Sequence, residues 1–151
     1  MKKVTLFIAA LVLFVFAAPP FLSAESSGSF SLIQIREIAV KGHKLHVRGE
    51  TDLPPGSALH LKIWLPWPGT QGNSHTVKVH VNSRHFFAMV NLPKKNSYSG
   101  LTALLRILFR PSEQGKDVKG KVGDKGQNLK GDNVLRENGQ NILRDEKKMT
   151  L

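Results

Sequence analysis

Short segments in which apolar and polar residues alternate dominate the middle of the chain. The clearest one is residues 59–65, where every second position is strongly apolar: Leu59, Leu61, Ile63 and Leu65. The same alternation recurs in 44–48, 77–81, 86–92 and 101–109, and a β-branched but less regular run covers 29–40. A period of two is typical of a strand with one buried face. Because Gly, Pro, Asn and Ser turns separate the segments, the pattern predicts an all-β, antiparallel β-sandwich.

The parity of these segments also predicts a core and an outer surface. The apolar positions that we expect to share one core are Leu59, Leu61, Ile63, Val77, Val79, Leu105 and Ile107. The cations that have the opposite parity, and that we expect on outer faces, are Lys44, Arg48, Lys62, Lys78, Arg106 and Arg110. Cations on an exposed sheet face commonly serve solubility alone.

The C-terminal third has a different composition. Residues 111–132 are rich in Lys, Gly, Asp and Asn and poor in apolar residues, which predicts a long, mobile basic loop. Residues 133–144 contain Asn138-Gly139, a dipeptide typical of two-residue hairpin turns. We expect a hairpin that sets Leu135 opposite Ile142 and Val134 opposite Leu143, with a helix over 134–148 as the alternative.

The N-terminus has the layout of a secretory signal peptide over residues 1–24. Two lysines precede an uncharged apolar run at 4–18, and Pro19, Pro20 and a small-residue exit at Ala24 follow. The run is shorter than the roughly 20 residues of a membrane span, which favours cleavage over a retained N-terminal anchor. Either outcome places residues 25–151 outside the cytoplasm, in the extracellular space or at the cell envelope. These residues have the length of one domain.

Cysteine usage and charge narrow the chemistry. The chain has no cysteine, so disulfides and thiolate metal sites are excluded. The net charge is +11 at pH 7, and the exported part keeps +9 because Lys2 and Lys3 are the charged residues that precede Glu25. A basic exported protein suits anionic partners, such as a cell-wall polymer, a membrane surface or extracellular DNA. No pattern indicates specific recognition of nucleic acid.

A candidate polyanion site lies in the basic loop. Five lysines occur there within fifteen residues, with only Asp117 and Asp124 among them: Lys116, Lys119, Lys121, Lys125 and Lys130. Residues 115–121 also have the glycine and lysine spacing of a phosphate-binding loop. Val122 stands where that loop needs a hydroxyl for Mg²⁺, so we interpret the segment as a solvated basic loop. We expect sequence-independent binding to anionic polymer or lipid that salt weakens.

Histidines and aromatic residues supply the remaining candidates. His46, His60 and His80 fall on the non-core parity of their strands, where they could hold Zn²⁺ or Cu²⁺. No clustered carboxylate supports such a site, so we expect no cofactor and keep metal binding as the alternative. Exposed aromatic residues suit carbohydrate or protein partners, or else cover the end of the sandwich: Trp64, Trp67 and Tyr98. No G-x-S-x-G motif or acid–base pair predicts an enzyme.

Two turn motifs carry a family resemblance. Residues 49–57 read GETDLPPGS, and residues 123–131 read GDKGQNLKG after a strand that ends in Phe109. They resemble the G-x-T-N-L-P-x-G-T corner and the Q…V…G-x-x-G-x-N-L-x-G segment of small exported immunoglobulin-like proteins of Gram-positive-type bacteria, most of them uncharacterised. Asp52 replaces the usual Asn and leaves the turn intact. The resemblance implies an immunoglobulin-like fold and carries no catalytic residue.

The expected function is therefore a non-enzymatic, exported binding or structural module at the cell envelope. Its basic surface is expected to contact anionic polymer or lipid, or another envelope protein. The alternative is a periplasmic or surface metal-binding protein that uses the strand histidines.

Overall fold

The structure, a computed structural model, describes residues 28–65, 74–92 and 98–151. The expected signal peptide lies outside the described residues. The elements in chain order are β1 (Ile33–Lys41), β2 (Lys44–Thr51), β3 (Ala58–Trp64), β4 (Ser74–His80), β5 (His85–Asn91), β6 (Thr102–Phe109), the 3₁₀-helix η1 (Pro111–Glu113), α1 (Lys116–Val122), β7 (Val134–Glu137) and β8 (Gln140–Thr150).

The strands form two antiparallel sheets. One sheet has the order β1-β2-β5, and the other has the order β4-β3-β6-β8-β7. In the larger sheet Leu61 lies opposite Val77 on one side and Ile107 on the other, so apolar side chains line the same face of three strands. The smaller sheet contributes Leu45 and Val47 to the same buried cluster. The prediction of an all-β fold with two packed antiparallel sheets is confirmed.

The predicted core is also confirmed. Leu59, Leu61, Ile63, Leu105 and Ile107 are fully buried in the main cluster, and Val79 belongs to it as well. Val77 is partly buried and packs against the cluster. Alternation along each strand therefore identified the inward faces correctly.

The turn motif at residues 51–57 forms a structural corner. Thr51 Oγ1 donates to the Leu32 carbonyl at 2.7 Å, and the Asp52 carboxylate accepts from the Leu32 backbone N–H at 3.0 Å. Ser57 Oγ donates to the Pro54 carbonyl at 2.7 Å. These bonds satisfy buried backbone groups where the chain leaves one sheet for the other. The polar residues of the corner serve the fold.

The C-terminal hairpin has the expected register. Leu135 lies opposite Ile142 and Val134 opposite Leu143, and the turn residue Asn138 has a φ of 50°. The alternative helix over 134–148 is wrong. The second strand of the hairpin extends past the expected end at 144 to Thr150, since β8 pairs along its length with β6.

The expectation of a mobile loop at 111–132 needs correction. The segment contains η1 and α1, and three of its apolar residues are buried: Val118, Val122 and Leu129. Val118 and Val122 are four residues apart, so they lie on one face of a helix. Gly123 ends α1 with a φ of 86°. Lysine and glycine dominate the composition of this segment, so composition alone does not indicate that a few apolar residues hold it against the core.

Candidate functional site: cationic surfaces of the sandwich

The lysine segment, which we define as residues 115–131, is tied to the sandwich by backbone hydrogen bonds. Phe30 N–H donates to the Asn128 carbonyl and Lys130 N–H donates to the Phe30 carbonyl, each at 2.9 Å. On its other side Asn141 N–H donates to the Lys125 carbonyl at 2.8 Å, and Asn141 Nδ2 donates to the Gly126 carbonyl at 3.1 Å. The segment is therefore an ordered part of the fold.

A buried glutamine fixes the entrance to the lysine segment. Gln114 is buried, and its Oε1 accepts from the Ala58 N–H at 2.8 Å. Its Nε2 donates to the carbonyls of Ala58 and Arg110, each at 2.9 Å. The side chain thus continues the hydrogen bonding of the larger sheet at the point where β6 leads into η1. This position joins the segment to the core of the sandwich.

Most of the lysines of the segment are exposed to solvent. Lys116, Lys121, Lys125 and Lys130 are exposed, and Lys119 is half-buried. Within the part of the chain that the structure describes, none of them forms an ion pair. The segment therefore presents ammonium groups that are available to an anionic partner, on a framework of fixed backbone.

A second cationic cluster lies on the outer face of the larger sheet. Lys62 Nζ lies 4.8 Å and the Arg106 guanidinium carbon 4.9 Å from the centre of the Trp64 ring. Arg106 Nε also donates to Glu146 Oε2 at 2.6 Å. The indole attracts both cations, which offsets part of their mutual repulsion. Trp64 is thus half-buried and contacts two positively charged side chains.

The remaining ion pairs of this outer face surround η1. Arg110 contacts Glu137 at 3.2 Å and Glu113 at 3.7 Å, and His60 Nδ1 lies 3.3 Å from Glu113. Among the described residues, the cations of this face that form no ion pair are Lys62, Lys78, Arg144 and Lys148. The face therefore keeps an excess of positive charge.

The three candidate metal ligands do not form one site. His46 lies opposite Met89 on the outer face of the smaller sheet, whereas His60 and His80 are on β3 and β4 of the larger sheet. The three histidines therefore belong to two different sheets. Over residues 28–65, 74–92 and 98–151, no group of three or more His, Asp or Glu side chains could hold a metal ion.

We predict no stoichiometric binding of Zn²⁺ or Cu²⁺, because a tight site needs three or four converging ligands. Titration calorimetry of protein purified without a histidine tag is expected to show no saturable heat for either ion. A 1:1 micromolar site that is lost in His46→Ala or in His60→Ala would contradict this prediction.

The aromatic candidates differ in burial. Tyr98 is buried, which removes it from the expected exposed set, and desolvation raises the pKa of its hydroxyl above the ordinary value. Trp67 lies outside the described residues. Instead, the large exposed apolar side chains include Phe87 and Met89, both on β5. They lie on the face of β5 opposite to the buried Phe86, Ala88 and Val90.

A groove of about 520 Å³ lies at the tight turn between β4 and β5. Its lining contains cationic, imidazole and aromatic groups but no carboxylate: Arg48, Gly49, His80, Asn82, His85, Phe86 and Phe87. The Arg48 guanidinium carbon lies 5.7 Å from the centre of the Phe87 ring. The groove therefore lacks the acid partner that general acid–base catalysis by a carboxylate–histidine pair would require.

Comparison with protein-family models, with curated proteins and with solved structures finds no match for this chain. Among the described residues, no helix has the length and apolar character that a membrane crossing requires.

Proposed function

We propose that the protein is an exported, non-enzymatic binding module that contacts anionic polymer or anionic lipid surfaces at the cell envelope. The observation that carries the proposal is the lysine segment, with five lysines that form no ion pair within the described chain. A partner with many negative charges would release counterions on binding, which favours association at low salt.

The topology supports an immunoglobulin-like type of sandwich. Lettered in chain order as A, B, C, C′, E, F and G, the strands β1 to β6 and β8 form an A-B-E sheet and a C′-C-F-G sheet. Immunoglobulin-like domains divide their strands between two sheets in this manner. By this analogy the lysine segment belongs to the F–G connection, between Phe109 and Gln140. The F–G loop is a ligand-contacting loop in variable domains.

The unpaired cations on the outer face of the larger sheet are a second surface that could bind an anionic partner. Lys62, Lys78, Arg144 and Lys148 lack ion pairs in the described structure but are spread over three strands. Four lysines of the segment are exposed and lie within fifteen residues of sequence. We therefore assign the larger share of the binding free energy to the segment.

Retention on a heparin column tests the assignment. A variant with all five lysines of the segment replaced by Gln is expected to elute at much lower salt than the parent. The control carries Lys62→Gln, Lys78→Gln, Arg144→Gln and Lys148→Gln, which removes four charges instead of five, and we expect it to lose less retention for each charge removed. Each phosphate contact contributes about 0.9 to the salt slope on double-stranded DNA, so the slope on DNA reports how many contacts each variant loses.

Vesicles separate the two kinds of anionic partner. Co-sedimentation with phosphatidylglycerol vesicles, compared with phosphatidylcholine vesicles, measures affinity for an anionic lipid surface. Retention on heparin without vesicle binding assigns the site to polymers, whereas binding to both indicates recognition of negative charge in general. Unchanged heparin retention of the five-lysine variant would remove the lysine segment from the mechanism.

A further inference from the structure

Both sheets end in edge strands, and the edges differ in how they are protected. An unprotected edge presents backbone N–H and C=O groups that can pair with another strand. The edge of β1 is covered: Ile35 N–H donates to Asp145 Oδ2 at 2.7 Å, and Asn133 Nδ2 donates to the Ile33 carbonyl at 3.1 Å. A register shift between Ile35 and Glu37 also interrupts this edge. Such irregularities prevent edge-to-edge pairing.

The two edge strands of the larger sheet are protected from pairing, one by being short and both by charged or polar residues. β7 has only four residues, with Arg136 and Glu137 among them. β4 carries Lys78 and ends in His80, and its sequence SHTVKVH has no large apolar side chain. Short or charged edge strands disfavour pairing with a second chain. These two edges therefore follow the usual protective rules.

Among the described residues, the free edge of β5 is covered only at its first residue, where the N–H and C=O of His85 pair with Asn82 at 2.9 and 2.8 Å. The strand is seven residues long and reads HFFAMVN, without a Lys, Arg, Asp, Glu or Pro and without a register shift against β2. Its outward side chains Phe87 and Met89 are 49% and 47% exposed, the largest exposures among the large apolar residues of the described chain. A regular, apolar edge strand without charged residues of its own is a typical site for adding another strand.

The hydrogen bonds show which backbone groups of β5 face outward. Leu92 N–H donates to the His43 carbonyl at 2.7 Å, and Thr51 N–H donates to the Arg84 carbonyl at 2.9 Å. Because neighbouring residues of a strand direct their backbone groups to opposite edges, the even-numbered positions of β5 bond to β2. The N–H and C=O groups of Phe87 and Met89 therefore point to the free edge.

We infer that β5 is a dimerisation strand, which pairs with β5 of a second copy of this chain. Antiparallel pairing about Ala88, the central residue of β5, sets Phe87 of each copy opposite Met89 of the other. In that register the outward N–H and C=O groups of Phe87 in one copy face those of Met89 in the other. Each of the two Phe87–Met89 pairs can therefore form two N–H···O hydrogen bonds. The register also places each aromatic ring beside a thioether, a favourable contact, and covers both exposed apolar side chains.

Charge decides how the dimer should respond to salt. Two copies with a high net positive charge repel each other, but the paired strands are themselves uncharged. Salt screens the repulsion and leaves the hydrogen bonds and apolar contacts in place. Dimerisation should therefore strengthen as salt rises, which is opposite to the response of binding to a polyanion. The dimer would also present two lysine segments to one polymer, and linked sites raise avidity.

Sedimentation equilibrium tests the inference on residues 25–151, which contain every described element. The parent is expected to show a monomer–dimer equilibrium that shifts toward dimer with protein concentration and with salt. Met89→Lys introduces an ammonium group next to the symmetry axis, so this variant should remain monomeric throughout. Thr76→Lys adds the same charge to the exposed edge strand of the other sheet and should dimerise like the parent.

Amide hydrogen exchange identifies the strand. The N–H groups of Phe87 and Met89 are expected to gain protection at dimer concentrations, whereas those of Phe86 and Ala88 are protected at every concentration. A parent that is monomeric at all salts, or a Met89→Lys variant that dimerises like the parent, would overturn the inference. Neither result affects the polyanion proposal, since the lysine segment binds in a monomer as well.

Discussion

Replacing Leu61 with alanine is expected to lower the free energy of unfolding by about 2 to 5 kcal/mol. Leu61 is fully buried at the centre of the larger sheet, opposite both Val77 and Ile107. The substitution removes apolar surface that the fold buries and leaves a cavity that neighbouring strands cannot close, because each is held by its own hydrogen bonds. Urea unfolding, followed by circular dichroism, measures the change.

The adjacent residue provides a matched control. Lys62 is half-buried on the opposite face of β3, and its main contact is with the Trp64 ring. Exposed cation–π contacts contribute about 0.5 to 1 kcal/mol, so Lys62→Ala should cost no more than that. Equal urea midpoints for Leu61→Ala and the parent, with a lower midpoint for Lys62→Ala, would mean that the two faces of β3 are exchanged.

Local alternation was sufficient to predict the strands and their buried faces, because a period of two depends only on neighbouring residues. The division of strands between the sheets was not predictable in this way. The tight turn at Ser83 and Arg84, both with positive φ, joins β4 in one sheet to β5 in the other. A turn of this kind usually joins paired strands of one sheet. Only the packing of the two sheets determines that the chain crosses here.

The lysine segment shows a second limit of sequence reasoning. Its order depends on partners that are distant in sequence, namely Phe30 at the start of the described chain and Asn141 in β8. Composition reports only that the segment itself has little to bury. The sequence therefore shows that the lysines are close together along the chain, but it does not show the hydrogen bonds that hold their backbone.

Each outer face brings together residues from several strands, and the sequence alone does not predict which of these residues become neighbours. Trp64 and Arg106 are 42 positions apart, and they meet because β3 pairs with β6. Parity likewise indicated that His46, His60 and His80 face outward, but it could not tell that His46 is on one sheet and that His60 and His80 are on the other. Parity assigns a side of a strand, and sheet topology assigns the neighbours.

The anchoring of the lysine segment is tested by Gly126→Ala, which is expected to destabilise the protein by about 2 to 5 kcal/mol. Gly126 has a φ of +71°, a conformation that costs a residue with a side chain about 1 to 2 kcal/mol. A Cβ there would also lie 2.6 Å from the Asn141 carbonyl oxygen and 3.0 Å from Pro111 Cγ. Neighbouring atoms must move to make room for the Cβ, and such overpacking destabilises a protein by a further amount of about 1 to 3 kcal/mol.

Gly139→Ala separates the two contributions. Gly139 has a similar φ of +77° in the β7–β8 turn, but no atom lies within 4 Å of the position that a Cβ would take. This variant should therefore lose only the conformational cost of about 1 to 2 kcal/mol. Urea unfolding gives both values, and amide exchange of residues 116–130 is expected to accelerate in Gly126→Ala alone. Equal destabilisation by the two substitutions, with unchanged exchange, would show that the lysine segment is not held against β8 and would restore the mobile loop that its composition predicts.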